Sequence, residues 1–227
     1  MERGLFVREK GMNSILRTKS GWMCIVLMMA GVLTMTSCGL GSKEKTTTIS
    51  IEKDGTVRSH IEESFDQSYY NKDELQQMIL VEAADYNREA GSGCITVEKV
   101  DVKDQIATVD MTYQKAADFA GFNHVVFFHG TPAEAKDAGY DLNVVLSSVK
   151  DSLNTIGQAD ILAMEGCRLL IMDVSKKIIK DETVVLDATV ILNGKVQYTN
   201  ENVITSDNGK SVKRTENAEG LAYILYQ

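Results

Sequence analysis

The chain has 227 residues, 44% of them hydrophobic and 25% charged, a balance that argues against wholesale disorder or a low-complexity build. Five basic and two acidic side chains fall in the first 37 residues, so the remaining 190 carry 19 basic against 30 acidic groups. A body of that sign disfavours generic nucleic-acid binding and is pushed off anionic lipid, so membrane residence needs a tether other than surface charge.

Residues 1–20 are basic and poor in acid, ending in Arg17 and Lys19; residues 22–33 are apolar; Thr34, Met35, Thr36 and Ser37 then lead to Cys38. Positive flank, short apolar run and small residues make the three-part layout of a secretory signal. The run is shorter than the roughly 20 residues that span a bilayer, and its positive flank stays cytoplasmic. Met12 is an alternative start that gives a leader of more usual length. The stretch Met35-Thr36-Ser37-Cys38 resembles the lipobox of bacterial lipoproteins, with methionine where leucine is usual. That resemblance implies diacylglycerol on the Cys38 thiol and cleavage between Ser37 and Cys38 by the lipoprotein-processing enzymes. It also implies residence on the extracytoplasmic face of the cell membrane, where two acyl chains suffice for stable anchoring. An uncleaved membrane helix and secretion without lipid are the competing readings. The expected organisation is a removed signal at 1–37, a lipid-anchored tether at 38–48 and one globular domain at 49–227. Ten extended tether residues reach about 35 Å.

In the body, residues 46–52 and 56–65 alternate apolar and polar around Lys53-Asp54-Gly55, a short-loop hairpin signal. Residues 72–90 carry Leu75, Met78, Ile79, Ala83 and Tyr86 at helical spacing, with Asn71 as cap, Glu74 three residues on and Gly91 as left-handed terminator. Residues 95–102 and 106–113 form a second hairpin turning at Lys103-Asp104. A short helix is expected over 114–122 and a brief buried strand over 125–128. Thr131-Pro132-Ala133-Glu134 combines a cap, proline at the first helical position and a glutamate at the third, and Gly139 ends that helix. Residues 141–158 are ambiguous between strand and helix. Strands are expected over 168–174, 183–192, 195–199, 203–206 and 221–226, with Asn193-Gly194 as the clearest hairpin turn.

Hairpins dominate and helices are few, which gives an α+β fold with a mainly antiparallel sheet, one long amphipathic helix and short ones. The stretches Ile51-Glu-Lys-Asp-Gly-Thr-Val57, Tyr70-Asn-Lys-Asp-Glu-Leu75 and Gly220-Leu-Ala-Tyr-Ile-Leu-Tyr226 resemble uncharacterised small lipoproteins of clostridial-type Gram-positive bacteria. The resemblance implies no activity.

No catalytic residue, metal site or cofactor is expected. His124 and His129 lie five residues apart, so in one strand they point to opposite faces and do not share a metal; His60 sits on the polar side of the second strand. Cys94 and Cys167 lack metal spacing and leave two readings open, a disulfide outside the cell or two buried thiols. Gly91-Ser92-Gly93 follows a helix and precedes a strand, the reverse of a phosphate-cradling loop. The carboxylate neighbours Glu62-Glu63 and Asp181-Glu182 read as edge and turn, and Tyr69, Tyr70, Tyr223 and Tyr226 as core and rim. A non-enzymatic binding or envelope-interaction module is therefore expected. The alternatives are a cell-envelope hydrolase with a carboxylate site, and a small solute-capturing partner of a transporter.

Overall fold

The computed structural model describes residues 47–174, 177–179, 182–184, 188–215 and 218–227. The expected signal at 1–37 with Ser37, the start of the expected tether with Cys38, and Asp181 lie outside the described residues. Strands β1 (Thr47–Ile51) and β2 (Val57–Ser64) form the first hairpin, with Gly55 at φ +87° in its turn. Helix α1 (Lys72–Ala90) follows; the Asn71 side chain accepts hydrogen bonds from the Asp73 and Glu74 amides at its start. Gly91 ends it at φ 131°, ψ 146°, a positive-φ conformation that is extended rather than left-handed helical. Strands β3 (Ile95–Lys103) and β4 (Ile106–Tyr113) make the second hairpin. Its turn pair is Asp104 and Gln105, both at positive φ, one residue later than the sequence indicates.

Helix α2 (Ala116–Asn123), strand β5 (Val126–Gly130) and helix α3 (Pro132–Asp137) come next. The capping box of α3 is complete: Glu134 donates its amide to Thr131 Oγ1, and its carboxylate accepts from the Thr131 amide. The ambiguous stretch resolves into strands β6 (Leu146–Ser148) and β7 (Thr155–Ile156), and an unanticipated helix α4 (Gln158–Ala163) follows. The remaining strands are β8 (Arg168–Asp173), β9 (Lys177–Ile179), β10 (Glu182–Val184), β11 (Ala188–Ile191), β12 (Val196–Thr199), β13 (Val203–Thr205), β14 (Ser211–Arg214) and β15 (Ala222–Tyr226).

The fold is α+β with predominantly antiparallel sheets. Sheet A has the order β13-β14-β11-β1-β2-β4-β3 and sheet B the order β5-β8-β15-β12-β6-β7; β9 and β10 pair separately. One pairing departs from the hairpin expectation: β1 runs parallel to β11, Thr47 opposite Ala188. Another departs more sharply. Asn193-Gly194 is not a hairpin turn, because β11 belongs to sheet A and β12 to sheet B. Gly194 is needed there for close approach: a Cβ would lie 2.8 Å from the carbonyl carbon of Gln227, whose main chain pairs with Lys195. A turn signal read from a dipeptide does not reveal which element the chain joins next.

Burial follows the pleat. Along β4, Ala107, Val109, Met111 and Tyr113 are buried while the alternate residues are partly exposed. The buried face of sheet A is covered by α1 and α2, through Leu75, Ile79, Phe119 and Phe122, and by the inner face of sheet B, through Leu170, Met172 and Ile224. The strands β8 and β15 of sheet B are buried on both sides. Leu169, Ile171, Tyr223 and Leu225 face a second cluster with Ala135, Leu142 and Ile161, which is why β8 reads as a continuous apolar run. Rings tie the layers together: Tyr113 meets Phe119 edge-on at 5.1 Å, and Phe119 meets Phe127 of β5 at 4.8 Å.

The outer edge of β3 is blunted. The Asn87 side chain both donates to the Ile95 carbonyl and accepts from the Ile95 amide, each at 2.8 Å, where an added strand would bond. A bulge between Val97 and Lys99 and the charges of Glu98, Lys99 and Lys103 further discourage edge pairing.

Candidate functional site

Among the described residues, nothing covers the other face of sheet A. The pleat sends Thr48, Ser50, Arg58, His60, Asp110 and Thr112 to that side, and cross-strand register aligns them in rows. Thr48 stands opposite His60 and His60 opposite Asp110; Ser50 stands opposite Arg58 and Arg58 opposite Thr112. The first row continues to Lys99 on β3 and, through Thr189, to Lys213 on β14. Two apolar side chains, Ile191 and Ile204, 42% and 55% exposed, stand toward the β13 end.

A shallow hollow of about 380 Å³ lies on this face, lined by Thr48, Ser50, Arg58, His60, Glu98, Asp110 and Thr112 together with Ser59 and Met111. At its centre His60 Nδ1 lies 2.5 Å from Asp110 Oδ1. A carboxylate only accepts, so Nδ1 carries the proton. Nε2 lies 3.5 Å from Glu62 Oε1, and Arg58 Nε lies 3.6 Å from Glu52. The Thr112 hydroxyl is buried without a hydrogen-bond partner, a group whose desolvation is left uncompensated.

An aspartate holding a histidine among the hydroxyl residues Thr48, Ser50, Ser59 and Thr112 has part of the layout of a nucleophile relay. The rest of that chemistry has no support here. Acyl transfer draws most of its stabilisation from donors aimed at the developing oxyanion, commonly backbone amides. Strands β1, β2 and β4 are each paired on both sides, so their amides are committed to the ladder. Among the described residues, no group of three His, Cys, Asp or Glu side chains could hold a metal ion. What the arrangement can do is hold a polar ligand with side chains alone.

A second polar cluster lies inside the protein. Tyr226 Oη and His129 Nε2 are 2.8 Å apart, with the rings stacked at 6.0 Å between centroids. Burial pushes the Tyr226 hydroxyl up to about 12. Burial first, and then the Arg168 guanidinium, holds the His129 imidazole below its ordinary value despite an opposing pull from Glu134. The hydroxyl therefore donates and a neutral Nε2 accepts. Because the folded value is depressed, this histidine's contribution to stability is present above the unfolded pKa of about 6.5 and is lost as pH falls below it. Between pH 7.5 and pH 5.5 the urea midpoint should drop more in the parent protein than in His129→Gln, which keeps an acceptor but does not titrate. Equal drops would show that His129 stays neutral in both states or charges without penalty.

The other candidates from sequence are dispersed. His124 is the left-handed C-cap of α2 at φ +52°, outside the strand that carries His129, so the two are not a pair on one strand. Cys94 and Cys167 are free, buried thiols in separate apolar clusters; no disulfide joins them. Tyr223 and Tyr226 are core residues, while Tyr69 is 74% exposed. Glu62 lies beside His60 rather than forming a pair with Glu63. The His60–Asp110 pair is not evident from the sequence, since its partners are 50 residues apart. The available signal was the alternation of β2 and β4, which places both residues on the polar side. Searches of protein-family models, curated proteins and solved structures find no match to this chain.

Proposed function

We propose that the chain is a lipid-anchored, extracytoplasmic binding module whose ligand lies on the open face of sheet A. The observation that carries the binding part is that face itself: a polar, cross-registered surface that no described element covers, on a sheet whose other side packs against α1, α2 and sheet B. Edge addition is the common alternative for a sheet protein, and the long edge of β3 is guarded by the Asn87 side chain. The anchored part rests on the leader and on Cys38. No described helix is long and apolar enough to cross a membrane. A hydrolase remains the second reading, motivated by the His60–Asp110 pair and weakened by the committed backbone amides around it.

Two measurements test the proposal. Cys38→Ala should abolish incorporation of labelled palmitate in the producing cells; labelling that persists would place the anchor elsewhere. A photo-crosslinking residue at Thr189 should trap a ligand in cells, whereas the same residue at Gln76, on the exposed side of α1, should not. Equal trapping at both positions would remove the open face from consideration.

A further inference from the structure

The hollow on sheet A has a chemistry that narrows what it can hold, given the reading that this face is where the ligand binds. Backbone groups of the interior strands beneath it are spent on the ladder, so side chains must supply the affinity. The one aromatic ring lining the hollow is the His60 imidazole, tied to Asp110; no Phe, Tyr or Trp lines it, so the broad stacking platform that a neutral sugar ring uses is missing. Neutral hydrogen bonds at an open surface gain little over water, while charge-assisted ones are roughly twice as strong. Charge must therefore do the selecting.

The charges present are of both signs and are separated. Arg58 stands on β2, Glu98 on β3 and Asp110 on β4 between them. Arg58 is 58% exposed at its side chain, and its ion pair among the described residues, to Glu52, is loose at 3.6 Å. Its fork is thus open to a planar carboxylate. One oxygen of Asp110 is held by His60, so that carboxylate has a fixed direction. Glu98 projects from the bulge in β3, and the structure gives it no ion pair among the described residues. Thr112 stands opposite Arg58, in the cross-strand row next to the one that holds His60 and Asp110. The outer strands of the trio are two spacings apart, about 10 Å at the backbone, a gap that two long side chains shorten to the span of one or two amino-acid units.

We infer that the hollow binds a small free zwitterion, an amino acid or dipeptide, with its carboxylate on Arg58 and its ammonium on Glu98 and Asp110. The volume, about 380 Å³, lies at the small end of ligand sites and suits that size.

Saturation-transfer NMR on the full chain, in detergent micelles, tests this with three probes: alanyl-alanine, the same dipeptide acetylated and amidated at its ends, and N-acetylglucosamine. Alanyl-alanine should receive saturation and the blocked dipeptide at least tenfold less. Arg58→Gln and Glu98→Gln should each weaken the alanyl-alanine signal about tenfold, while Lys213→Gln, on the same face but outside the hollow, should leave it unchanged. Both variants alter exposed side chains, and an unchanged thermal midpoint will verify their folding. No transfer to alanyl-alanine, or equal transfer to the blocked form, overturns the inference. Transfer to N-acetylglucosamine that is lost in the same variants overturns it too, but leaves the open face as a binding surface. Zwitterion binding insensitive to both variants removes the hollow altogether.

Discussion

Replacing Arg214 with methionine should cost about 3 kcal/mol of unfolding free energy, the low end of what breaking a buried ion pair removes. Arg214 ends β14 on the covered side of sheet A, with only 3% of its side chain exposed. Its Nη2 donates to the carbonyls of Ala218 at 2.8 Å and Gly220 at 2.5 Å. Its Nε lies 3.4 Å from Asp173 Oδ1 on β8, near enough for ionic attraction although the N–H is not aimed at the oxygen. One cation thus fastens sheet A to sheet B and fixes the segment that carries the chain between them. Methionine keeps the volume but leaves two inward carbonyls and a largely buried carboxylate without it. Removing Asp173 as well, as Arg214→Met with Asp173→Leu, should recover part of the loss, since the carboxylate that Arg214 offsets goes with it. Urea unfolding measures both; a single-variant loss below 1 kcal/mol would mean that the segment has another fastening.

Tyr113→Ala should cost more, about 4 kcal/mol, in the range for deleting a buried aromatic ring. Tyr113 is fully buried at the end of β4. Its ring packs against Phe119 at 5.1 Å and Phe122 at 5.9 Å, the two aromatic anchors of α2. The cavity would open where sheet, helix and second sheet converge, a site that cannot collapse without moving all three. Tyr113→Phe should cost little by comparison. The hydroxyl's contacts are a weak donation to Met111 sulfur at 3.5 Å and a long acceptance from Asn123 at 3.3 Å. Similar losses for the two variants in the same unfolding measurement would shift the weight from the ring to the hydroxyl.

Local structure was legible where one segment contained its own reason. Helix α1 shows its stripe, its Asn71 cap and its Gly91 stop in consecutive residues, and α3 carries its whole capping box in Thr131 to Glu134. The first two hairpins were legible for the same reason, since alternation and turn sit side by side. The fold class followed from them. Long-range pairing was not legible. Nothing in Thr47–Ile51 says that its parallel neighbour lies at Ala188–Ile191, because such a ladder is set by how the two layers stack. The segment near Asn193-Gly194 misled because a glycine demanded by crowding against Gln227 looks the same as one demanded by a turn. The candidate site divides along the same line. That His60 faces outward could be read from alternation, whereas its bond to Asp110 depended on the register of β2 against β4.

The placement of β1 carries a mechanical consequence. The strand that continues directly from the leader side of the chain lies in the interior of sheet A, bonded to β2 on one flank and β11 on the other. A pull delivered along it from the amino-terminal side loads both ladders in parallel, so many bonds must yield together rather than peel one at a time. Under the anchoring proposed above, tension would pass straight into the interior of sheet A, and a ligand resting on Thr48 and Ser50 would sit directly over the strand that bears the load.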